Sequence, residues 1–68
     1  MDKDLKLQNN LKEMRISKNL SQEQLAALIG TTRQTIISIE KQVFSPTAKL
    51  ALLLCVALDC KFEDLFFF

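Results

Sequence analysis

The sequence contains no histidine, tryptophan or tyrosine, and only one glycine, one proline and two cysteines among 68 residues. Without histidine, and with Cys55 and Cys60 alone, it lacks both the ligand spacing of a structural metal site and the imidazole base that commonly activates a nucleophile. The expectation is a chain that is not an enzyme and needs no metal and no cofactor. Two thiols in a chain otherwise poor in cysteine fit a reducing cytoplasm, where cysteine serves as a small apolar residue. Long apolar runs are missing too: the longest, residues 50–58, falls far short of the roughly 20 residues that span a bilayer. Met1, Asp2, Lys3 and Asp4 mix both signs of charge, and no apolar stretch of a signal peptide follows them. A cytoplasmic location and no membrane partner are therefore expected. An excess of charge is absent as well, because the formal net charge is only +1. That argues against indiscriminate binding to a polyanion and moves attention to where the charges lie.

What is present is an apolar half, 49% of residues. That is enough for one small domain, residues 1–68, with a thin core that leaves room for a partner. Caps and breakers divide it into five helical pieces, so the fold class is all-α. The first piece covers residues 9–18, with Leu11, Met14 and Ile16 apolar and Asn9 or Asn10 as the cap. The second follows Ser21, an N-cap with Gln24 three residues on as in a capping box, and buries Leu25, Ala26, Leu28 and Ile29. Gly30 ends it in a conformation that other residues resist. Thr32 caps a third helix whose Ile36 and Ile39 point inward. After a turn containing Pro46, Thr47 caps a strongly apolar fourth helix reaching about Leu58, and "FEDLF" forms a short fifth.

Spacing in the middle of the chain carries the functional information. Two helices joined by a short turn around a glycine cross steeply. Their close approach needs a small residue on the first helix and a branched one on the second. Counting Gln22 as the first position, Ala26 is fifth, Gly30 ninth and Ile36 fifteenth. That is the register of a helix-turn-helix over about residues 21–41, followed by two closing helices over about 47–66.

The stretch "LSQEQLAALIGTTRQTIISIEKQVFSPT" resembles the helix-turn-helix of phage Cro and repressor proteins, the XRE family, and the likeness runs from residue 10 to residue 66. It implies a five-helix, lambda-repressor-like DNA-binding domain whose third helix enters the major groove, usually as a homodimer on a two-fold operator. Several positions depart from the family pattern. Lys41 and Gln42 stand where Asn-Gly is common, Asp59 where glycine is frequent, and Lys61 where Ser or Thr usually caps. Ile37 is apolar where a small polar residue is often found on the DNA side. A residue other than glycine forced to positive φ costs up to about 1 kcal/mol.

At the start of a recognition helix, side chains must reach base edges. Glutamine pairs bidentately with adenine N6 and N7, and arginine with guanine O6 and N7. Gln34 is the leading base reader. The resemblance puts Arg33, Thr35 and Ser38 on the same surface, with Ile37 available to a thymine methyl and Thr32 divided between capping and phosphate. Gln22, at the start of the second helix, is assigned to clamping phosphate, where free N–H groups and the helix dipole assist. Lys41 flanks the same surface, and Lys49 is as well explained by ordinary solvation. The resemblance also implies that Arg15 and Glu40 form an ion pair holding the third helix to the first.

A sequence-specific regulator of transcription, most often a repressor in this family, is the expected function. Two alternatives stay open: an antitoxin-like module that also holds a partner protein, and a helical domain that binds proteins alone. Dimerisation is assigned to the C-terminal part. There Leu50, Leu54 and Leu58 form an inward stripe with Ala51 and Ala57, leaving Leu53 and Val56 on an outer flank beside Phe66, Phe67 and Phe68. Such a patch exceeds what a monomer usually exposes. The "KLQ" segment is expected to pair as a short strand with the "FFF" end. The competing outcome is a phenylalanine tail folded back over its own domain.

Overall fold

The computed structural model describes residues 5–68; the reading of Met1 to Asp4 as lacking a signal sequence lies outside them. In chain order the elements are β1 (Gln8–Asn9), α1 (Leu11–Ser17), α2 (Gln22–Ile29), α3 (Arg33–Glu40), α4 (Ala48–Leu58), α5 (Phe62–Leu65) and β2 (Phe66–Phe67). Five helices and two short terminal strands are present as expected, although the first strand is Gln8–Asn9 rather than the "KLQ" segment, and the first helix starts two residues later because Asn9 belongs to β1.

Helix starts follow the capping chemistry. Ser21 Oγ accepts from Gln24 N–H at 3.0 Å while Gln24 Oε1 accepts from Ser21 N–H at 2.8 Å, a complete capping box. Thr32 Oγ1 accepts from Thr35 N–H, and Thr47 Oγ1 from Leu50 N–H. At α1, Asn10 is the cap residue by position, yet Asn9 satisfies the free donor, its Oδ1 accepting from Leu11 N–H. At α5 only the returning half of a capping box is built, with Asp64 Oδ2 accepting from Lys61 N–H, since lysine has no acceptor to offer.

Helix ends share one device. Asn19, Gly30, Gln42 and Asp59 all have φ between 51° and 72°, and the residue after each donates its N–H to a carbonyl five positions back. These bonds run from Leu20 to Arg15, Thr31 to Ala26, Val43 to Ser38 and Cys60 to Cys55, at 2.9–3.1 Å. Glycine fills one of the four positions, so the strain expected where family glycines are missing is present at Gln42 and Asp59.

The core comprises Leu11, Leu25, Ala26, Ile29, Ile36, Ile39, Ala51, Leu54, Cys55, Leu58, Leu65 and Phe66, with Leu50, Leu53 and Ala57 partly buried against it. Three expectations need correction. Leu28 is not on the buried side of α2 but 63% exposed, because its neighbours Leu25, Ala26 and Ile29 already fill the face turned to α3 and α4. Leu53 is half-buried rather than on the outer flank, and Leu52 beside it is the exposed residue. Phe66 is only 3% exposed and belongs to this protomer's own core, with its ring 5.2 Å from that of Phe62. It is not part of any outward patch. The strand pairing is antiparallel, Gln8 opposite Phe67 and Asn9 opposite Phe66. The tail thus folds back on its own domain as far as Phe66, leaving Phe67 partly and Phe68 largely exposed.

Candidate nucleic-acid interface

Helix α3 is fixed from below before it presents anything outward. Arg15 is 9% exposed. Its Nε lies 2.7 Å from Glu40 Oε2, its Nη2 donates to Glu40 Oε1 at 3.4 Å, and its Nη1 donates to the Leu20 carbonyl at 2.9 Å. One guanidinium therefore joins α1, the turn that follows it and the end of α3. Gln22 adds a further tie: its Nε2 donates to Glu40 Oε1 at 3.1 Å. Asn9 holds the same end, its Nδ2 donating to the Ile39 carbonyl at 2.9 Å. Among the described residues no buried side-chain polar atom lacks a partner, so this network is complete, the condition under which buried charges specify geometry without a large penalty.

On the opposite side of α3, Thr32, Arg33 and Gln34 are exposed and Thr35, Ile37 and Ser38 are half-buried. Gln34 Nε2 donates to Ser38 Oγ at 3.5 Å, one helical turn on. That long contact takes at most one amide hydrogen and leaves the other, with Oε1, for an outside partner: the donor and acceptor that adenine N7 and N6 require. Thr32 Oγ1 is bonded to both the hydroxyl and the N–H of Thr35, so its capping duty is filled within the helix. Gln22 stands at the start of α2 with one amide hydrogen given to Glu40, which leaves the second for an outside acceptor. Lys41, the residue after α3, is exposed, and so is Lys49.

Two residues of this region escaped the sequence reading. Phe44, from the loop after α3, lines a shallow groove of about 240 Å³ with Thr32, Gln34, Thr35 and Ser38. No periodic signal marks a loop aromatic. Asn9 was read only as a possible cap, and its bond to α3 spans 30 residues of sequence. Leu53 turns instead toward a groove shared with Ile29, Gly30, Thr31, Thr47, Lys49 and Leu50.

This is two helices joined at a left-handed glycine, the second locked by a buried ion pair and bare on its outer face. A family model described as helix-turn-helix matches residues 11–65. The chain belongs to the XRE-type helix-turn-helix family. It is similar to the HTH-type transcriptional regulator YgzD of Bacillus subtilis, 43% identical over 60 residues, covering 88% of this chain and 91% of that protein. An HTH-type transcriptional regulator of Methanocaldococcus jannaschii is 44% identical over 62 residues, covering 91% and 94%. Among solved structures, the restriction-modification controller protein C.AhdI of Aeromonas hydrophila superposes with a TM-score of 0.75 at 35% identity, covering 79% of this chain and 82% of that one. The Bacillus and Methanocaldococcus proteins are HTH-type transcriptional regulators and the Aeromonas protein a restriction-modification controller, which together support a DNA-binding regulator. Among the described residues no helix is long and apolar enough to cross a membrane.

Proposed function

We propose that the protein is a transcriptional repressor that binds a two-fold operator as a homodimer, with α3 in the major groove of each half-site. The observation that carries this reading is the exposed Gln34 amide on a helix fixed from behind by Arg15 and Glu40. A base reader needs a helix held in one pose to discriminate, and here the helix is held by the buried ion pair. In this reading Arg33, Thr35, Ser38 and Ile37 complete the base-facing surface, while Gln22, Thr32 and Lys41 contact phosphate and set register. The similarity to a restriction-modification controller supports a role in setting gene expression.

Dimerisation follows from the apolar residues that the domain leaves outside. Val56 is 79% exposed, and it lines an open groove with Leu52 and Phe62, which are also exposed. Covering this face of α4 and α5 with a second copy adds the buried surface that a 68-residue chain is short of. It also separates two recognition helices by about one DNA turn, roughly 34 Å. Of the residues first assigned to the interface, Val56 stays, Phe67 and Phe68 remain available, and Leu53 and Phe66 give way to Leu52 and Phe62.

Selection of bound duplexes from a random pool tests the whole proposal. The expected product is a site with two inverted half-sites containing adenine at one fixed position in each. Recovery of sequences with no common motif, or of a motif without symmetry, refutes it.

A further inference from the structure

Cys55 and Cys60 flank the end of α4, and nothing in DNA recognition uses them. Asp59 turns the chain left-handed at φ 51°, and Cys60 N–H donates to the Cys55 carbonyl at 3.1 Å. With standard bond lengths, that hydrogen bond holds the two Cα atoms within about 7 Å, inside the span that a disulfide can bridge. Both cysteines are free thiols. Both line the open groove between α4 and α5, together with Leu52, Val56, Asp59, Lys61, Phe62 and Asp64. Cys55 is buried, and Cys60, half-buried, is the more exposed of the pair. Among the described residues no set of three His, Cys, Asp or Glu side chains is placed to hold a metal ion, so the chemistry of the site is that of two thiols.

We propose that Cys55 and Cys60 are an oxidisable dithiol, closing to an intrachain disulfide by exchange with a small disulfide such as oxidised glutathione. The Cys60 thiol, as its thiolate, attacks one sulfur of the small disulfide and releases one thiol, giving a mixed disulfide on the protein. The Cys55 sulfur then attacks the Cys60 sulfur and releases the second thiol. In sum, two protein thiols and one small disulfide become one protein disulfide and two small thiols, with no other oxidant consumed. Both thiols lie above their ordinary pKa, chiefly through burial, with Asp59, Glu63 and Asp64 adding to it and Lys18 opposing at Cys60. They therefore stay protonated at neutral pH, and the first attack is slow while the second, within one chain, is fast.

The test uses the intact chain at low micromolar concentration with excess oxidised glutathione, followed by acid quench, alkylation and intact-mass measurement. Expected for the wild type is loss of both alkylatable thiols, a mass about 2 Da below the reduced chain for two lost hydrogens, and no glutathione adduct. Cys55→Ser is expected to stop at a stable adduct on Cys60. Should that variant fail to fold by circular dichroism, Cys60→Ser replaces it, with the expectation that the remaining buried thiol reacts at least tenfold more slowly than the wild type. An adduct that persists on the wild type, disulfide-linked chains in place of an internal bond, or equal rates for Cys60→Ser and wild type each overturn the proposal. The groove is also the face assigned to the second copy, so the exchange is expected from the dissociated chain, and the Leu52→Lys, Val56→Lys variant run in parallel is expected to oxidise at least as fast as the wild type. None of these readouts involves DNA, so the outcome is separate from that of the operator selection.

Discussion

Replacing Arg15 with alanine removes the guanidinium and leaves the Glu40 carboxylate, whose side chain is only 7% exposed, without a countercharge. Breaking a buried pair from one side costs about 3–5 kcal/mol, most of it the desolvation of the charge left behind. Gln22 still donates to Glu40 Oε1, which keeps the cost near the lower end, about 3 kcal/mol. A 68-residue domain has in total about 3–10 kcal/mol of stability, so the change removes a third or more of it. The corresponding fall in Tm is about 12–24 °C for a domain of this size. The Leu20 carbonyl also loses its Arg15 donor, but it lies at a turn that water can reach. Urea unfolding followed by circular dichroism, on wild type, Arg15→Ala, Glu40→Ala and the double variant, measures the pair directly. The double variant is expected to cost less than the sum of the singles by about 0.5–3 kcal/mol. Arg15→Met with Glu40→Leu is expected to recover most of the loss, because well-packed apolar replacements of a buried pair are often neutral. Additive single costs, or an Arg15→Ala change costing under about 1 kcal/mol, refute the reasoning.

Gln34→Ala is expected to relax base preference at one position per half-site and cost about 1–3 kcal/mol of operator affinity, read by titration against single-base variants of the selected site. Gln22→Ala is expected to weaken all duplexes alike, with a small loss of stability from the missing bond to Glu40. Gln42→Gly is expected to stabilise the fold by up to about 1 kcal/mol, whereas Gly30→Ala destabilises it by about as much. A Cβ at Gly30 meets nothing within 4 Å, so that cost is conformational rather than steric; equal and opposite shifts in thermal melts check the pair. Leu52→Lys with Val56→Lys is expected to shift a sedimenting dimer toward monomer and to weaken operator binding while leaving the helical content intact.

The elements that sequence reasoning located well are those whose determinants are local. Ser21, Thr32 and Thr47 cap within three residues of themselves, and Gly30 needs only its own backbone. The helix-turn-helix register was legible for the same reason, because Ala26, Gly30 and Ile36 sit at fixed short separations. The failures fall where periodicity loses its phase. Almost every residue of α4 is apolar, so the pattern alone does not say which leucine faces in. Leu54 and Leu58 were placed inward, as found, but the pattern did not tell Leu52 from Leu53, and it is Leu52 that the packed helix turns outward. Phe66 was misread because its burial depends on pairing with Asn9 near the other end of the chain, and the roles of Asn9 and Phe44 are likewise long-range.

The antiparallel pairing of Asn9 with Phe66, together with the bond from Asn10 N–H to the Leu65 carbonyl at 2.9 Å, bears on how the protein is made. The strands being joined are separated by nearly all of the described chain, while α1 to α4 pack on helices no more than two places along the sequence. During synthesis the helix-turn-helix has all of its own residues before Leu65 and Phe66 exist, but Leu11 lacks two of its core companions and Asn9 lacks the strand that steadies its grip on the Ile39 carbonyl. The recognition helix thus reaches its final anchorage only when β2 is free of the ribosome. Chains truncated within α5 are expected to keep helices yet to be degraded quickly, because a domain open at this seam offers its unpaired strand and core to proteases.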